Sequence, residues 1–332
     1  MINRDYHMHT VYCDGSNTAE EMVLAAIDRG MTEVGISGHS HTAFDESYCM
    51  SHEQTEQYRQ ELLALREKYK DQISIRIGLE VDRYSDADTA GLDYTIGSVH
   101  YIRVPDPGAK AGAADGKDGT VDVPEIPAGC LPYTEDGQDW IYIPVDETAE
   151  ITKAAADAYF GGDLIAFAER YFETAGEVAG ATGCDIIGHF DLLTKFNEPW
   201  LKDPGAAPAP EAAPAPEAAS APGAGPASGT APADDAASDP APALFDTGDP
   251  RYIRAWQKAA DQLLQADVPF EINTGAMSKG YRSAPYPAKP IRDYIRSRGG
   301  RFILSSDSHR TETLCYQFDR YESELVVPIP VI

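Results

Sequence analysis

Seven short apolar runs recur along this chain, and most are separated by stretches with helical periodicity. The strand candidates are 4–9, "TEVGISG" at 32–38, "ISIRIGLEV" at 73–81, "YTIGSVHYI" at 94–102, "DIIGHF" at 185–190, "PFEINTG" at 269–275 and "RFILSSD" at 301–307. Helical spacing of apolar residues falls at 18–29, 52–69, about 147–181, 250–267 and 288–298. Ser51, with Gln54 three residues later, gives the second helix a capping box. Apolar strands alternating with helices predict a parallel α/β fold, most simply a barrel. A doubly wound open sheet is the alternative, because the 82–93 link between the third and fourth strands is irregular for a regular barrel.

The ionisable residues are not scattered over this pattern. They cluster at the C-terminal ends of the strand candidates. The first strand ends in His7 and His9, with Asp14 in the loop beyond; two histidines at i and i+2 lie on one face of a strand. The second strand ends in "GHSH", His39 and His41. Glu80 ends the third, His100 the fourth and His189 the fifth, and "SSDSH" supplies Asp307 and His309 at the seventh. In a parallel barrel these ends meet at one mouth, where active sites lie. Seven of the chain's 8 histidines fall at strand ends, and only His52 opens a helix, as a surface residue. His41 is expected to support or pack rather than to ligate.

His7, His9, Asp14, His39, Glu80, His100, His189, Asp307 and His309 are therefore candidate metal ligands. One zinc takes at most four protein ligands. The larger set suits two or three metals with bridging carboxylates and open positions for water. Mixed imidazole and carboxylate donors suit zinc, iron or manganese rather than calcium. Such centres lower the pKa of water and neutralise charge that builds on a phosphoryl group.

Two stretches break the alternation. Residues 204–243 hold only Pro, Gly, Ala, Ser, Thr, Asp and Glu. With no large apolar residue to bury, they read as a disordered Ala/Pro-rich insertion. Residues of about 105–138 are rich in Gly, Pro, Asp and Ala and read as a loop-like surface excursion. The rest reads as one domain over 1–332. A net charge of −27 disfavours nucleic acid as a partner. No run approaches the roughly 18 apolar residues of a membrane span, and no secretory signal is expected at the start. Five scattered cysteines without a CxxC pattern suit free thiols in a reducing cytoplasm.

The motifs "HMHT", "GHS", "GLEVD", "GSVH", "IIGHFD" and "SSDSH", in this order, resemble those of the polymerase-and-histidinol-phosphatase (PHP) superfamily. The run "GSVHYI…DWIYIPVDE…IIGHFDLLTKFN…EINTGAMSKGY…PYP" is most similar to its histidinol-phosphatase branch. The resemblance spans nearly all the chain except the two insertions. It implies a distorted (β/α)7 TIM-like barrel with a trinuclear metal centre at the C-terminal strand ends. It also implies hydrolysis of histidinol phosphate, a small phosphomonoester, to histidinol and phosphate. Another small phosphomonoester, such as phosphotyrosine or a nucleotide, is the alternative substrate; a nuclease or a non-enzymatic metal-binding protein is a more distant reading.

Carried over by motif, His7, His9, Glu80 and Asp307 would hold one metal. Asp14, His39 and His309 would hold a second, and Glu80, His100 and His189 a third, with Glu80 bridging. Glu80, His189 and Asp307 are the expected catalytic residues. For the substrate, Lys195 and Arg282 are the phosphate-clamp candidates, Ser98 a hydrogen-bond donor, and Phe44, Tyr48 and Tyr101 a possible ring pocket. The acid that would bind the amine, and the oligomeric state, stay open at this point.

Overall fold

This computed structural model describes residues 4–108, 124–198 and 243–325. In chain order, the strands among them are β1 (Arg4–Asp5), β2 (Glu33–Ile36), β3 (Ser74–Asp82), β4 (Tyr94–Ser98), β5 (Tyr101–Pro105), β6 (Leu131–Glu135), β7 (Gln138–Pro144), β8 (Ile186–Ile187), β9 (Phe270–Asn273) and β10 (Phe302–Ser305). Seven of them form one sheet in the order β1-β2-β3-β4-β8-β9-β10, with every described pairing parallel. Past the ends of the outer strands, Met8 bridges Ser308. The His9 N–H donates to the Ser308 carbonyl at 2.8 Å, and the Ser308 N–H donates to the His7 carbonyl at 3.1 Å. The first strand thus meets the last, and the sheet curls nearly closed into a barrel.

The barrel interior is filled, not hollow. Tyr6, Tyr94, Ile96, Ile186 and Ile303 form a buried cluster of their own. Tyr6 and Tyr94 meet edge to face with ring centroids 5.7 Å apart, although β1 and β4 are not sheet neighbours. The contact therefore crosses the interior. Gly35 and Gly78 leave room for it, since a Cβ at either would stand 2.4 or 2.3 Å from the Tyr94 side chain. Burying a ring of about 200 Å² is worth roughly 5 kcal/mol of hydrophobic transfer.

Helices cover the outside: α1 (Ala19–Asp28), α2 (His52–Tyr69), α3 (Ala149–Phe160), α4 (Leu164–Thr182), α5 (Pro250–Leu263) and, beyond the short α6 (Gly275–Lys279) at the barrel mouth, α7 (Lys289–Ser297). The capping box of Ser51 and Gln54 starts α2, and Thr18 with Glu21 starts α1 in the same way. The apolar faces of α1 and α2 pack on β2 and β3 in one core. A second, larger core holds α3, α4, α5 and α7 against β8, β9 and β10.

Three expectations need revision. The helical stretch at 147–181 is two helices, because Gly161 and Gly162 both take positive φ (63° and 79°) and Asp163 caps α4 afresh. The run 94–102 is not one strand. After β4 the chain turns out of the barrel at His100, and β5 joins an antiparallel sheet in the order β5-β7-β6. Residues 105–138 are accordingly not all loop, since β6 lies within them. Asp136 and Gly137, both at positive φ, turn β6 into β7, and the "EDGQ" stretch is the sequence signal for that hairpin. The 82–93 link carries no helix, as its irregularity suggested. The Ala/Pro-rich 204–243 segment lies outside the described residues except for Ala243.

Candidate metal centre

The barrel's closing bridge also assembles the centre. His7 and His9 flank Met8, so the bond pattern that joins the two edges fixes both imidazoles on the inner side. The loop beyond folds back sharply: the Cys13 and Gly15 N–H groups both donate to the Thr10 carbonyl at 3.0 Å. Only glycine fits at 15, where a Cβ would stand 2.4 Å from the Thr10 nitrogen. That reversal brings Asp14 to His309, 2.9 Å away. His39 extends β2 by a bridge to Glu80 of β3. His100 and His189 follow β4 and β8 directly. Asp307, just past β10, holds a φ of 48°, a left-handed conformation that costs a non-glycine residue free energy and recurs at functional sites.

Glu80 is the hub. Its Oε2 lies 3.2 Å from His7 Nε2, 3.5 Å from His9 Nε2 and 3.0 Å from His39 Nδ1. Its Oε1 lies 2.8 Å from His189 Nε2 and 3.4 Å from His100 Nε2. Asp307 Oδ1 stands 3.3 Å from His9 Nε2, and Asp14 Oδ1 3.4 Å from His9 Nδ1. Four overlapping groups have ligand atoms all within 4.8 Å of one another: His9, Asp14, His39 and His309; His7, His189 and Asp307; His7, His9 and Glu80; His39, Glu80 and His100. Together they contain all nine residues read from the strand ends.

The electrostatics keep the carboxylates charged despite burial. Burial should push the Glu80 carboxyl up, but His7, His39 and His100 around it hold it well below the usual range. Asp14, against His309 and His39, and Asp307, against His7 and His9, are held low over the same opposing burial. Burial and the neighbouring His309 and His39 drag His9 down to about 3, so its imidazole is neutral, the form that binds metals. His7 Nε2, His9 Nε2, Asp14 Oδ1, Glu80 Oε2 and His100 Nδ1 are buried without a hydrogen-bond partner. Such orphans are costly; all but His100 Nδ1, which turns to Asp82 Oδ2 at 3.4 Å, face the centre, where lone pairs converging on shared points are what metal ions satisfy. The residues present therefore fit the metals that the donor set implies.

The sequence reading missed the groups that hold these ligands. Glu271, fully buried in β9, sets its Oε1 2.7 Å from His7 Nδ1, and its Oε2 accepts from the His189 N–H at 2.9 Å. Ser305 Oγ and Asn273 Nδ2 donate to the same carboxylate at 2.7 and 3.0 Å. One acid thus orients two ligands from two strands. Asp82 accepts from the His100 N–H at 2.9 Å, and Asp5 accepts the Ser306 N–H at 3.1 Å. An acid inside the apolar run "PFEINTG" was the available signal for Glu271.

A cavity of about 480 Å³ opens over the centre, lined by Glu80, His100, His189 and Asp307 among others. Lys195 lines it, with Nζ 3.2 Å from Asp146 Oδ2. So does Lys279, at the end of α6, its Nζ 3.5 Å from His309 Nε2; the sequence reading did not single it out. Arg282 is not in this lining. It lines a neighbouring cavity, 3.5 Å from Asp191 and 2.6 Å from Thr194 Oγ1, and stacks on Tyr286. Ser98 is buried against Gly188, and its Oγ has no hydrogen-bond partner. Tyr48 and Tyr101 line the cavity, whereas Phe44 stacks on Tyr142 at 3.8 Å. Tyr286 also lines it and has a buried, unpartnered hydroxyl. His41 faces out of the centre toward Asp86 and Glu46.

Comparison with known proteins agrees with this geometry. The PHP domain family matches residues 5–213. A Bacillus subtilis protein named "Histidinol-phosphatase" is 33% identical over 123 residues, 31% of this chain and 46% of that protein. A Deinococcus radiodurans protein named "Probable histidinol-phosphatase" is 30% identical over 109 residues, 30% of this chain and 42% of its own length. The chain thus spans less than half the length of these curated relatives in the matched region. Among solved structures, the candidate histidinol phosphatase HisK of Listeria monocytogenes superposes with a TM-score of 0.60 at 17% identity, covering 96% of this chain and 99% of that one. Histidinol phosphate phosphatase HisK of Lactococcus lactis, complexed with zinc, L-histidinol and phosphate, superposes with a TM-score of 0.51 at 15% identity, covering 97% and 91%. At these identities the likeness shows the barrel fold. Among the described residues no helix is long and apolar enough to cross a membrane.

Proposed function

This chain belongs to the PHP domain family, and on that footing we propose that it is a metal-dependent phosphomonoesterase that hydrolyses L-histidinol phosphate. The observation that carries the reading is the nine-residue donor array beneath a cavity whose wall also presents Lys195 and Lys279. The names of the curated relatives, and the ligands of the Lactococcus lactis protein of the same fold, support the substrate.

His7, His9, Asp14, His39, Glu80, His100, His189, Asp307 and His309 would hold two or three ions of zinc, iron or manganese. Such ions supply a lowered pKa for water and neutralise charge on a phosphoryl group. Glu80 offers both oxygens to separate sets of imidazoles, which suits a bridging carboxylate. His189 and Asp307 stand beside it at the cavity floor as the other catalytic candidates. Glu271 keeps His7 and His189 aimed at that floor. Lys195 and Lys279 would bind the phosphate oxygens, with the Tyr286 hydroxyl as a further donor. Asp45, which accepts from the Tyr101 hydroxyl, is joined on the wall by Asp146 and Glu147; one of these acids would meet the substrate's amine, and Tyr48 and Tyr101 would face its imidazole. Arg282 and Ser98 would act from behind the wall, Arg282 by fixing Thr194 next to Lys195. The reading treats 1–332 as one domain with the 204–243 segment as an insertion, acting in the cytoplasm on a small molecule and not on nucleic acid.

The test is phosphate release by metal-loaded protein from histidinol phosphate, phosphotyrosine and nucleoside monophosphates. We expect kcat/KM for histidinol phosphate to exceed the others by at least roughly a hundredfold, the scale set by a pocket that pairs a substrate's polar groups. A preference for another of these esters would overturn the substrate and keep the phosphatase. No release from any would overturn both.

A further inference from the structure

A second histidine–carboxylate cluster stands outside the cavity, on the barrel rim, and is built from segments far apart in sequence. His41 follows β2, His52 opens α2, and Asp86 lies in the link between β3 and β4. We propose that His41, His52 and Asp86 form a separate site for a transition-metal ion such as zinc, with Glu46 orienting His41. This site does not depend on the function proposed for the inner centre.

The distances carry the assignment. His41 Nδ1 lies 2.6 Å from Asp86 Oδ1, and His52 Nε2 lies 3.5 Å from Asp86 Oδ2. One ligand atom from each of the three residues falls within 4.8 Å of the others. Ligands 2.0–2.1 Å from a tetrahedral zinc are about 3.3 Å apart, so small rotations of exposed side chains bring the set into register. The His41 and His52 rings lie 4.2 Å apart at 39°, both turned to the same carboxylate. On the other side of His41, Nε2 sits 3.2 Å from Glu46 Oε1. A carboxylate accepting from Nε2–H leaves the Nδ1 lone pair for the ion, the usual support for a metal-bound histidine. Two imidazoles and one carboxylate match zinc, cobalt or nickel rather than calcium. His52 and Asp86 are 61% and 55% exposed, so water can complete the coordination.

The location gives the site a consequence. The segment from His41 to His52 carries Asp45, Ser47 and Tyr48, which line the inner cavity. Ser85 Oγ already donates to the His41 carbonyl at 2.7 Å. An ion bound here would tie both ends of that segment to the β3–β4 link and so hold one wall of the cavity.

The experiment counts zinc. Wild type, His52→Ala and Asp86→Asn are saturated with zinc, passed through gel filtration and analysed for metal. Competition of the loaded proteins with a chromophoric zinc chelator gives the affinity for the last ion. We expect the wild type to hold one equivalent more than either variant, and each variant to bind that last ion at least tenfold more weakly. Both positions are exposed and outside the inner centre, so turnover of the loaded variants should stay within about twofold of wild type, which also reports that they fold. Equal zinc content and equal affinity in the wild type and either variant overturn the proposal, whatever substrate the inner centre prefers.

Discussion

The inner and outer clusters use the same chemistry, imidazoles facing carboxylates, yet burial makes them different devices. In the inner centre His7, His9 and Glu80 are all but sealed from solvent, and five polar atoms lack partners. In the outer cluster Glu46, His52 and Asp86 are more than half exposed. A buried charge must be compensated inside the protein, whereas an exposed one is compensated by water. The inner carboxylates therefore depend on positive charge held inside the protein, from the surrounding imidazoles or from bound ions, and the outer ones can rely on water. The same contrast applies to geometry. Glu271 and Asp82 lock the inner ligands from behind, while the outer set has Glu46 on an exposed side chain.

Metal removal should separate the two most sharply. Chelation of the inner centre is expected to abolish phosphatase activity, a fall of at least about a thousandfold given what metal ions contribute to such hydrolysis, and to lower the unfolding midpoint because buried donors lose their partners. Readdition of zinc or manganese should restore both, and elemental analysis should then give at least two ions per chain. Full activity below one equivalent would erase the distinction drawn above.

Glu80→Gln comes next. It keeps the shape and removes the charge shared by both imidazole sets, so turnover should fall by at least roughly a hundredfold with loss of inner metal. Metal content and circular dichroism on the same sample check that the fold survives. Near wild-type turnover in a metal-loaded variant would remove Glu80 from its hub position.

Glu271→Gln tests the support and not the ligands. Losing its charge should cost about 10- to 100-fold in metal affinity or turnover. A structural role alone would lower stability without changing metal affinity, so zinc competition titration decides between them. The smallest effect belongs to the outer cluster: His52→Ala should leave turnover within about twofold, since an exposed substitution away from the inner centre usually changes stability by no more than about 0.5 kcal/mol. A large loss there would mean that the rim controls the cavity more tightly than its exposure suggests.

How much of this was legible beforehand follows from what each feature depends on. The seven barrel strands and the helix start at Ser51 are written in local periodicity and capping, and chain-local physics suffices to read them. That nine strand-end residues meet was legible because a parallel barrel sends every strand end to one mouth, so strand-end position alone predicts convergence. The hairpin of β6 and β7 was legible in "EDGQ" but was hidden by the Gly- and Pro-rich residues before it. Glu271 was not legible as a partner of His7, 264 positions away, because no local pattern records that separation. Lys279 and Arg282 illustrate the same limit. Both are basic residues shortly after β9, and only packing turns one toward the cavity and the other toward its neighbour.

The amino-acid sequence by itself determined the order of the seven barrel strands and which ionisable residues stand at their ends. Those properties follow from short-range spacing and side-chain type. The tertiary structure alone decided which imidazoles share which Glu80 oxygen, which acid stands behind His7, and that His41 leaves the inner centre to meet His52 and Asp86. Such contacts are set to within an ångström by how the first strand closes on the last through Met8 and Ser308, and closure is a property of the whole sheet.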